Sequence, residues 1–500
     1  MERKLRITLA AFFFVGITLL FLDFTGILHT WLGWMAHLQF LPAVMALNAL
    51  VVGLLIILTL LFGRIYCSVI CPLGVFQDFI SWISGQRKKK KYRFSYSPSK
   101  KLLRYGVLAG FVLSMLLGIH SLVALLAPYS MYGRIAQNFF QPVYLAGNNV
   151  LAYLAERADS YRFYETEIWI KSLPVLVVTA VMGILIGVLA WKNGRTYCNT
   201  ICPVGTVLGL LSRYSLFRPV IDTEKCNGCT LCSRRCKASC IDAKKHQIDY
   251  SRCVVCMDCI DACKQHAISY RLRSHRPSQP AKEATLQPKT DGQSRRLFLA
   301  TAATATAGAA IQAQEKKVDG GLATITDKQK PHRSTRIVPP GALSIRNFEQ
   351  HCTACQLCVA ACPNDVLRPS TSLLNLMQPE MSYERGYCRP ECTRCSEVCP
   401  TGAIRPITRD EKSAILIGRA VWIKKNCIPL TNGDECGNCA RHCPTQAISM
   451  VPSVENDEKS PKIPMVNEWK CIGCGTCEYL CPARPFSAIY VEGRHTHLKE

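Results

Sequence analysis

Cysteine spacing constrains this chain more than any other feature. The 500 residues include 29 cysteines, far above ordinary usage. Six runs share the spacing C-x2-C-x3-C, and a further cysteine precedes each of them. A secreted chain so rich in cysteine would suggest disulfides, but this repeated spacing indicates metal ligation. Because such a short loop can wrap a cubane of iron and sulfide, the runs predict [4Fe–4S] clusters.

Two of the runs lie within residues 221–270 and have the spacing of a bacterial two-cluster ferredoxin, in which each fourth cysteine ligates the other cluster. The expected first cluster uses Cys226, Cys229, Cys232 and Cys263, and the second uses Cys253, Cys256, Cys259 and Cys236. Lysine rather than proline follows both fourth cysteines, and the extra Cys240 could replace Cys236. A zinc site is the alternative, but the duplicated spacing is less typical of zinc.

Residues 345–490 contain the other four runs, of which the second and third have an insertion after the first cysteine. Their sixteen cysteines suffice for four cubanes: Cys352, Cys355, Cys358, Cys362; Cys388, Cys392, Cys395, Cys399; Cys427, Cys436, Cys439, Cys443; and Cys471, Cys474, Cys477, Cys481. A disulfide framework is the alternative for an exported domain. Four repeats that each end in C-x2-C-x3-C-P make it the weaker one. The expected total is six clusters.

Residues 1–220 are predicted to form a membrane domain. Four apolar segments, near residues 7–27, 41–62, 105–126 and 173–191, are long enough to cross a bilayer, which takes about 20 residues. The connection between the second and third contains basic residues at 87–91 and 93. The positive-inside rule therefore predicts a cytoplasmic N-terminus and four crossings. The same rule accounts for the net charge of +25, and no nucleic-acid motif is present. Buried core helices of a soluble protein are the alternative.

Two C-x3-C-P pairs follow the second and fourth apolar segments, both within the pattern R-x-Y-C-x3-C-P-x-G. They are Cys67 with Cys71 and Cys198 with Cys202. Cysteines four residues apart share one helix face, so each pair could present two thiolates to one metal or form a reactive dithiol. Two structural cysteines at a helix end are the alternative, which the recurrence of the whole pattern disfavours.

Histidine usage limits haem binding. Residues 1–220 contain only His29, His37 and His120, enough for one bis-histidine haem at most. No C-x-x-C-H is present, which excludes c-type haem. His120 is a candidate quinol ligand, although a structural role is the simpler interpretation.

A linker at residues 271–293 precedes an internal export signal at residues 294–314. Arg295 and Arg296 begin it, and an uncharged run rich in Ala and Thr follows. Cleavage after Ala309 or Ala313, retention as a fifth helix, and an ordinary basic linker all remain open. A second linker, residues 315–344, leads to the last module.

Residues 1–270 resemble the NapH family, with four helices, two C-x3-C-P motifs and a two-cluster ferredoxin. The membrane half is also similar to the NosR and CcoG families. Residues 294–490 resemble the MauM/NapG ferredoxin-type family, with a twin-arginine signal and four cluster motifs. The resemblance implies a multidomain fold, a four-helix membrane bundle with α+β ferredoxin-like modules. It also implies that, in the last module, the first and last runs exchange fourth cysteines, as do the middle two.

The resemblance further implies a multi-pass protein of the bacterial inner membrane, with the two-cluster module cytoplasmic and the four-cluster module extracytoplasmic. Its expected partners are the quinone pool, an extracytoplasmic reductase of nitrate reductase type, and the twin-arginine export machinery. No catalytic constellation is present, so we expect an electron-transfer subunit rather than a stand-alone enzyme. A maturation or metal-handling factor for a partner metalloenzyme is the alternative function.

Overall fold

A computed structural model describes residues 2–23, 25–86, 94–160, 162–273, 326–455, 457 and 460–499. The predicted export signal with Arg295 and Arg296 lies outside these residues. So do the first linker from residue 274 onwards, the start of the second linker, and the basic residues at 87–91 and 93.

The N-terminal part is helical. Its helices are α1 Glu2–Leu22, α2 Ile27–Leu32, α3 Trp34–His37, α4 Phe40–Met45, α5 Ala49–Phe62, α6 Ile65–Val69, α7 Pro72–Gly85, α8 Lys101–Leu116, α9 His120–Leu126, α10 Pro128–Ile135, α11 Gln141–Glu156, α12 Leu173–Asn193, α13 Thr196–Thr200 and α14 Pro203–Leu211. A π-helical turn, Ala136–Phe140, joins α10 to α11, and a 3-10 turn, Ser212–Tyr214, follows α14.

Two of the four predicted spans are broken rather than continuous. The second splits into α4 and α5 because Leu47 adopts a left-handed φ of 53° and the Asn48 side chain accepts a hydrogen bond from Val51 N to start a new helix. The third splits into α8 and α9 at Gly118, where φ is +75°. In the described part of the chain, two helices, α1 and α12, are long and apolar enough to cross a membrane, and α5 is a shorter apolar helix.

The internal repeat is visible in the backbone. Gly63 ends α5 with φ +75°, and Gly194 ends α12 with φ +66°. A five-residue helix, α6 or α13, then contains the first cysteine of each pair, and a proline begins α7 or α14 directly after the second cysteine. Proline suits the first position of a helix because its missing N–H would have no intrahelical partner there.

The two-cluster module is built on an antiparallel pair, β1 Phe217–Ile221 and β4 Ile268–Leu272, in which Phe217 faces Leu272. Between these strands lie α15 Leu231–Arg235, β2 Ile241–Asp242, β3 Gln247–Ile248 and α16 Asp258–Ala262. Strand β4 continues past the predicted boundary at residue 270.

The C-terminal module consists of short helices and three antiparallel strand pairs: β5 with β6, β8 with β9, and β10 with β7. The helices are α17 Ile345–His351, α18 Leu357–Ala360, α19 Arg394–Glu397, α20 Arg409–Ser413, α21 Ile428–Thr431, α22 Asn438–Arg441 and α23 Thr476–Leu480. The strands are β5 Leu367–Pro369, β6 Pro379–Met381, β7 Ile415–Trp422, β8 Ile448–Pro452, β9 Lys462–Val466 and β10 Ile489–Lys499. A 3-10 turn, Lys424–Asn426, precedes α21.

This module extends beyond residues 345–490 at both ends. Strand β10 continues to Lys499, and the segment before α17 packs onto the module. Lys328 Nζ donates to the carbonyl oxygen of Glu478 at 2.7 Å, and Arg333 forms a buried ion pair with the Glu478 carboxylate.

Helix α1 runs between the two ferredoxin modules. At its first turn, Arg3 Nε lies 3.0 Å from Asp258 Oδ1 in the two-cluster module. Its other end packs beside α18 of the C-terminal module. Further contacts hold that module to the helices: Arg134 donates to Ala354 O at 3.4 Å, and Lys171 donates to Val359 O at 3.1 Å.

Candidate metal centres

Four of the six cysteine loops share one backbone conformation. In each C-x2-C-x2-C segment, the residues two and four positions after the first cysteine have positive φ. They are Gly228 and Thr230, Val255 and Met257, Ala354 and Gln356, and Gly473 and Gly475. Two left-handed residues in five wind the chain tightly around one point, which directs its cysteines inward. The exceptions are the runs that begin at Cys388 and Cys427, the two with insertions after the first cysteine.

The two-cluster module gathers its cysteines as the sequence predicts. Cys226, Cys229, Cys232 and Cys263 line one cavity. A second cavity is lined by Cys253, Cys256, Cys259, Cys236 and the extra Cys240. Cys236 Sγ and Cys240 Sγ lie 3.5 Å apart. Cys236 interacts electrostatically with Cys256 and Cys259, whereas Cys240 contacts Cys253. Either thiol could therefore complete the second group.

The C-terminal module forms four groups, each made of three cysteines from one run and the fourth cysteine of a partner run. The groups are Cys352, Cys355, Cys358 with Cys399; Cys388, Cys392, Cys395 with Cys362; Cys427, Cys436, Cys439 with Cys481; and Cys471, Cys474, Cys477 with Cys443. The first two runs thus exchange fourth cysteines, as do the last two. The expectation that the first and last runs exchange fourth cysteines is wrong. The strand pair β5–β6 lies between the first two runs and the pair β8–β9 between the last two, so each half of the module brings together two runs that are neighbours in the sequence.

Backbone amides point at several of these sulfur atoms. Ala267 N donates to Cys263 Sγ at 3.3 Å, Ala447 N to Cys443 Sγ at 3.2 Å, and Ala488 N to Cys481 Sγ at 3.2 Å. Hydrogen bonds of this kind raise the reduction potential of an iron–sulfur cluster because they stabilise charge on sulfur.

The donor set of the groups suits a [4Fe–4S] cluster. Each group brings together three cysteines of one run and the fourth cysteine of a partner run. Four thiolates supplied in this way are the ligands of a cubane, so the residues present fit [4Fe–4S] clusters.

The two C-x3-C-P pairs converge into one buried group. Arg64 Nη2 lies 3.7 Å from Cys67 Sγ and donates to Cys198 O at 3.1 Å, so it joins the two motifs. Burial raises the pKa of the Cys71 thiol, and the nearby Cys198 and Cys67 raise it further. Burial likewise raises the pKa of Cys202, with further contributions from Cys198 and Cys71. All four side chains are buried.

Reciprocal contacts between the repeats hold this group. Arg195 donates to Cys67 O at 2.5 Å, as Arg64 donates to Cys198 O. A Cβ at Gly74 would lie 2.2 Å from Cys67 O, and one at Gly205 would lie 2.3 Å from Cys198 O. Close packing therefore requires the glycine that ends the R-x-Y-C-x3-C-P-x-G pattern in both copies.

The sequence interpretation missed the polar residues around these thiols. Asp78 accepts hydrogen bonds from Arg195, and Gln77 Nε2 donates to Cys198 Sγ at 3.3 Å. Neither belongs to the repeated pattern: the second copy has Leu208 and Gly209 at these positions. The two arginines were visible as the first residue of each motif.

Two of the three histidines of the helical part share one cavity, and the third does not line it. His29 and His37 line a cavity between the α2–α3 segment and the C-terminal module. His120 instead lies near Glu349 and His351. Asp23 lies 3.1 Å from His29 Nδ1, and the buried His29 Nε2 has no hydrogen-bond partner among the described residues.

Family models match both halves of the chain. A "4Fe-4S binding domain" matches residues 44–91 and again 173–222, which are the two C-x3-C-P repeats. A "4Fe-4S dicluster domain" matches residues 351–414 and 434–484. The first match contains both of the first two runs, which exchange cysteines in the structure, and the second contains all cysteines of the last two runs except Cys427.

Curated relatives agree with these matches. The methylamine utilization ferredoxin-type protein MauM of Methylobacillus flagellatus is 34% identical over 166 residues, which cover 32% of this chain and 70% of the relative. MauM of Paracoccus denitrificans is 34% identical over 175 residues, 73% of its length. The chain belongs to the MauM family of ferredoxin-type proteins.

The likeness of this MauM-family chain also extends to the ferredoxin-type protein NapF of Escherichia coli, 29% identical over 182 residues, which are 36% of this chain and 99% of NapF. No solved structure matches the chain. Together with the family models, these relatives make the protein an iron–sulfur ferredoxin-type protein that binds [4Fe–4S] clusters and transfers electrons. The clusters supply the redox chemistry.

Proposed function

We propose that the protein is a membrane-bound electron conduit that accepts electrons from quinol and passes them to an extracytoplasmic acceptor of the reductase type. Six [4Fe–4S] clusters would occupy the six cysteine groups of the two modules. The observation that carries the proposal is the position of α1, whose first turn contacts the two-cluster module and whose other end packs beside the four-cluster module.

Charge and contacts support a membrane between the modules. The two-cluster module contacts Arg3 and Arg64, at segment ends that the positive-inside rule assigns to the cytoplasm. The C-terminal module contacts Arg134 and Lys171, in the connection expected on the opposite side. The proposed topology therefore has the four-cluster module outside, which is where a twin-arginine export signal would deliver it.

The cavity at His29 and His37 is the proposed quinol site. It adjoins the first cluster group of the C-terminal module, because Leu357 and Val398, neighbours of Cys358 and Cys399, line it. His29 is held by Asp23 at Nδ1, which leaves its unpaired Nε2 to accept a hydroxyl proton. Burial lowers the pKa of His29, so the ring is neutral at pH 7 and able to accept. Each quinol would give two electrons to the clusters and two protons to bases.

Anaerobic stopped-flow reduction tests this function. Purified protein in detergent is mixed with a menaquinol analogue, and cluster reduction is followed by EPR and absorbance. The intact protein is expected to be reduced rapidly, and His29→Gln at least about ten-fold more slowly because a general base is lost. Dithionite should reduce both equally, and His120→Gln should behave like the intact protein. Full cluster content without any quinol reduction would contradict the proposal and favour a maturation role.

A further inference from the structure

The six ferredoxin-type groups leave four buried motif cysteines without a role. We propose that the two C-x3-C-P motifs together ligate one further [4Fe–4S] cluster, through Cys67, Cys71, Cys198 and Cys202. The family model matches each repeat separately. The structure, by contrast, brings both repeats to a single point, so that neither pair has a group of its own.

The buried guanidinium of Arg64, beside the four motif cysteines, requires a negative charge nearby. Arg64 is fully buried, and its guanidinium contacts Asn199 Oδ1 at 2.8 Å, Ser251 O at 3.2 Å and Cys198 O at 3.1 Å. Within the described residues it has no carboxylate partner, and all three of these contacts are to neutral oxygens; the Cys67 sulfur lies 3.7 Å from its Nη2. Buried charges are costly unless they are paired. A cluster held by four thiolates carries net negative charge, and Arg64 would compensate it.

Arg195, the arginine of the second motif, has a carboxylate partner, unlike Arg64. Arg195 is shared between Cys67 O and the Asp78 carboxylate, which also contacts Arg6 and Lys237. This network orients Cys67 from one side as Arg64 orients Cys198 from the other. Gln77 donates its amide to Cys198 Sγ, and Gly205 N donates to Cys202 Sγ at 3.3 Å. Such donors stabilise thiolate ligands and tune a cluster.

The enclosure argues against the other uses of these thiols. The four cysteine side chains are 3–5% exposed, so a partner protein could not reach them to take up a metal. If each C-x3-C-P motif formed a separate dithiol, the two motifs would have no need to lie against each other.

The position of the group suits a relay. On one side, Asn199 donates to Ala238 O at 3.2 Å, beside the second cysteine group of the two-cluster module. On the other side, Tyr197 lies near Arg134, which donates to Ala354 O next to Cys355. One electron would enter and one would leave, with no bond formed or broken. The relay role rests on the proposed electron route, whereas the existence of the cluster does not.

Iron and acid-labile sulfide per chain test the cluster without any quinol. Three variants are compared with the intact protein: Cys67→Ser with Cys71→Ser, Cys198→Ser with Cys202→Ser, and all four together. If both motifs share one cluster, each double variant loses about four irons and four sulfides, and the quadruple variant loses no more. Ser68→Ala and Thr200→Ala, within the same motifs, should lose none.

Folding of the variants is checked by the EPR signals of the remaining clusters after dithionite reduction, which should persist. Equal iron in the intact protein and both double variants would overturn the inference. So would losses that add up in the quadruple variant, or loss of zinc instead of iron. Failure of quinol reduction with the expected iron losses would overturn only the proposed function.

Discussion

Arg195 and Asp78 are joined by two hydrogen bonds, of 2.9 Å and 2.8 Å, although they come from different copies of the internal repeat. Burial would raise the pKa of Asp78, but Arg195 and Lys237 hold it well below its usual range. This pair links α7 of the first repeat to the start of α13 in the second. It fixes how the two C-x3-C-P motifs face each other.

Asp78→Asn should therefore destabilise the helical part strongly. The substitution leaves the fully buried Arg195 without a charged partner, which costs about 3 kcal/mol or more. The measurement is the midpoint of thermal unfolding in detergent. Asp261→Asn is the matched control: its 3.1 Å pair with Arg3 is half-exposed and should contribute about 1 kcal/mol at most. Equal shifts for the two variants would show that the buried network does not hold the repeats.

Two glycines of α7 should differ sharply in their response to alanine. Gly74→Ala would push a Cβ to 2.2 Å from Cys67 O, whereas a Cβ at Gly85 meets nothing within 4 Å. We expect Gly74→Ala to cost about 1–3 kcal/mol through overpacking. Gly85→Ala should be neutral or stabilising by up to about 1 kcal/mol. Thermal unfolding of both variants distinguishes these results, and tolerance of alanine at Gly74 would contradict the close approach.

The fifth thiol of the two-cluster module should act as a substitute ligand. Cys236→Ser is expected to keep its full iron content because Cys240 Sγ lies 3.5 Å from Cys236 Sγ. Cys240→Ser should also keep it, whereas the double variant should lose about four irons per chain. Iron analysis with EPR of the reduced protein measures this. A loss of four irons in Cys236→Ser alone would show that Cys240 cannot replace it.

The C-terminal strand should make stability depend on pH through His497. Burial lowers the pKa of His497 to about 4, and neither ring nitrogen has a partner among the described residues. Unfolded histidine has a pKa of about 6.5. Below that pH the unfolded state binds a proton that the folded state does not, so stability falls by about 1 kcal/mol per pH unit until about pH 4. Above pH 6.5 both states are neutral and the effect is absent.

His497→Gln should flatten this slope between pH 6.5 and pH 4, and the exposed His495→Gln should leave it unchanged. Thermal unfolding of the intact chain across this pH range provides the measurement. An identical slope in all three proteins would exclude His497 as its source.

The sequence by itself determined the chemistry of this protein. Local spacing is enough to predict that Cys226, Cys229 and Cys232 bind one cluster, because a loop of seven residues places its own sulfur atoms together. The crossed ligand Cys263 was predictable from the duplicated run, because each fourth cysteine of a two-cluster ferredoxin ligates the other cluster. The sequence also showed that Cys240 could replace Cys236 as a cluster ligand.

Only the tertiary structure decided relationships between distant segments. The partner of each fourth cysteine in the C-terminal module depends on which runs pack together, and the structure pairs Cys362 with the run at Cys388. The breaks at Leu47 and Gly118 are set by backbone conformation, which hydrophobicity does not report. The meeting of Cys67 with Cys198 depends on buried charges, above all Asp78 with Arg195, whose partners lie more than one hundred residues apart.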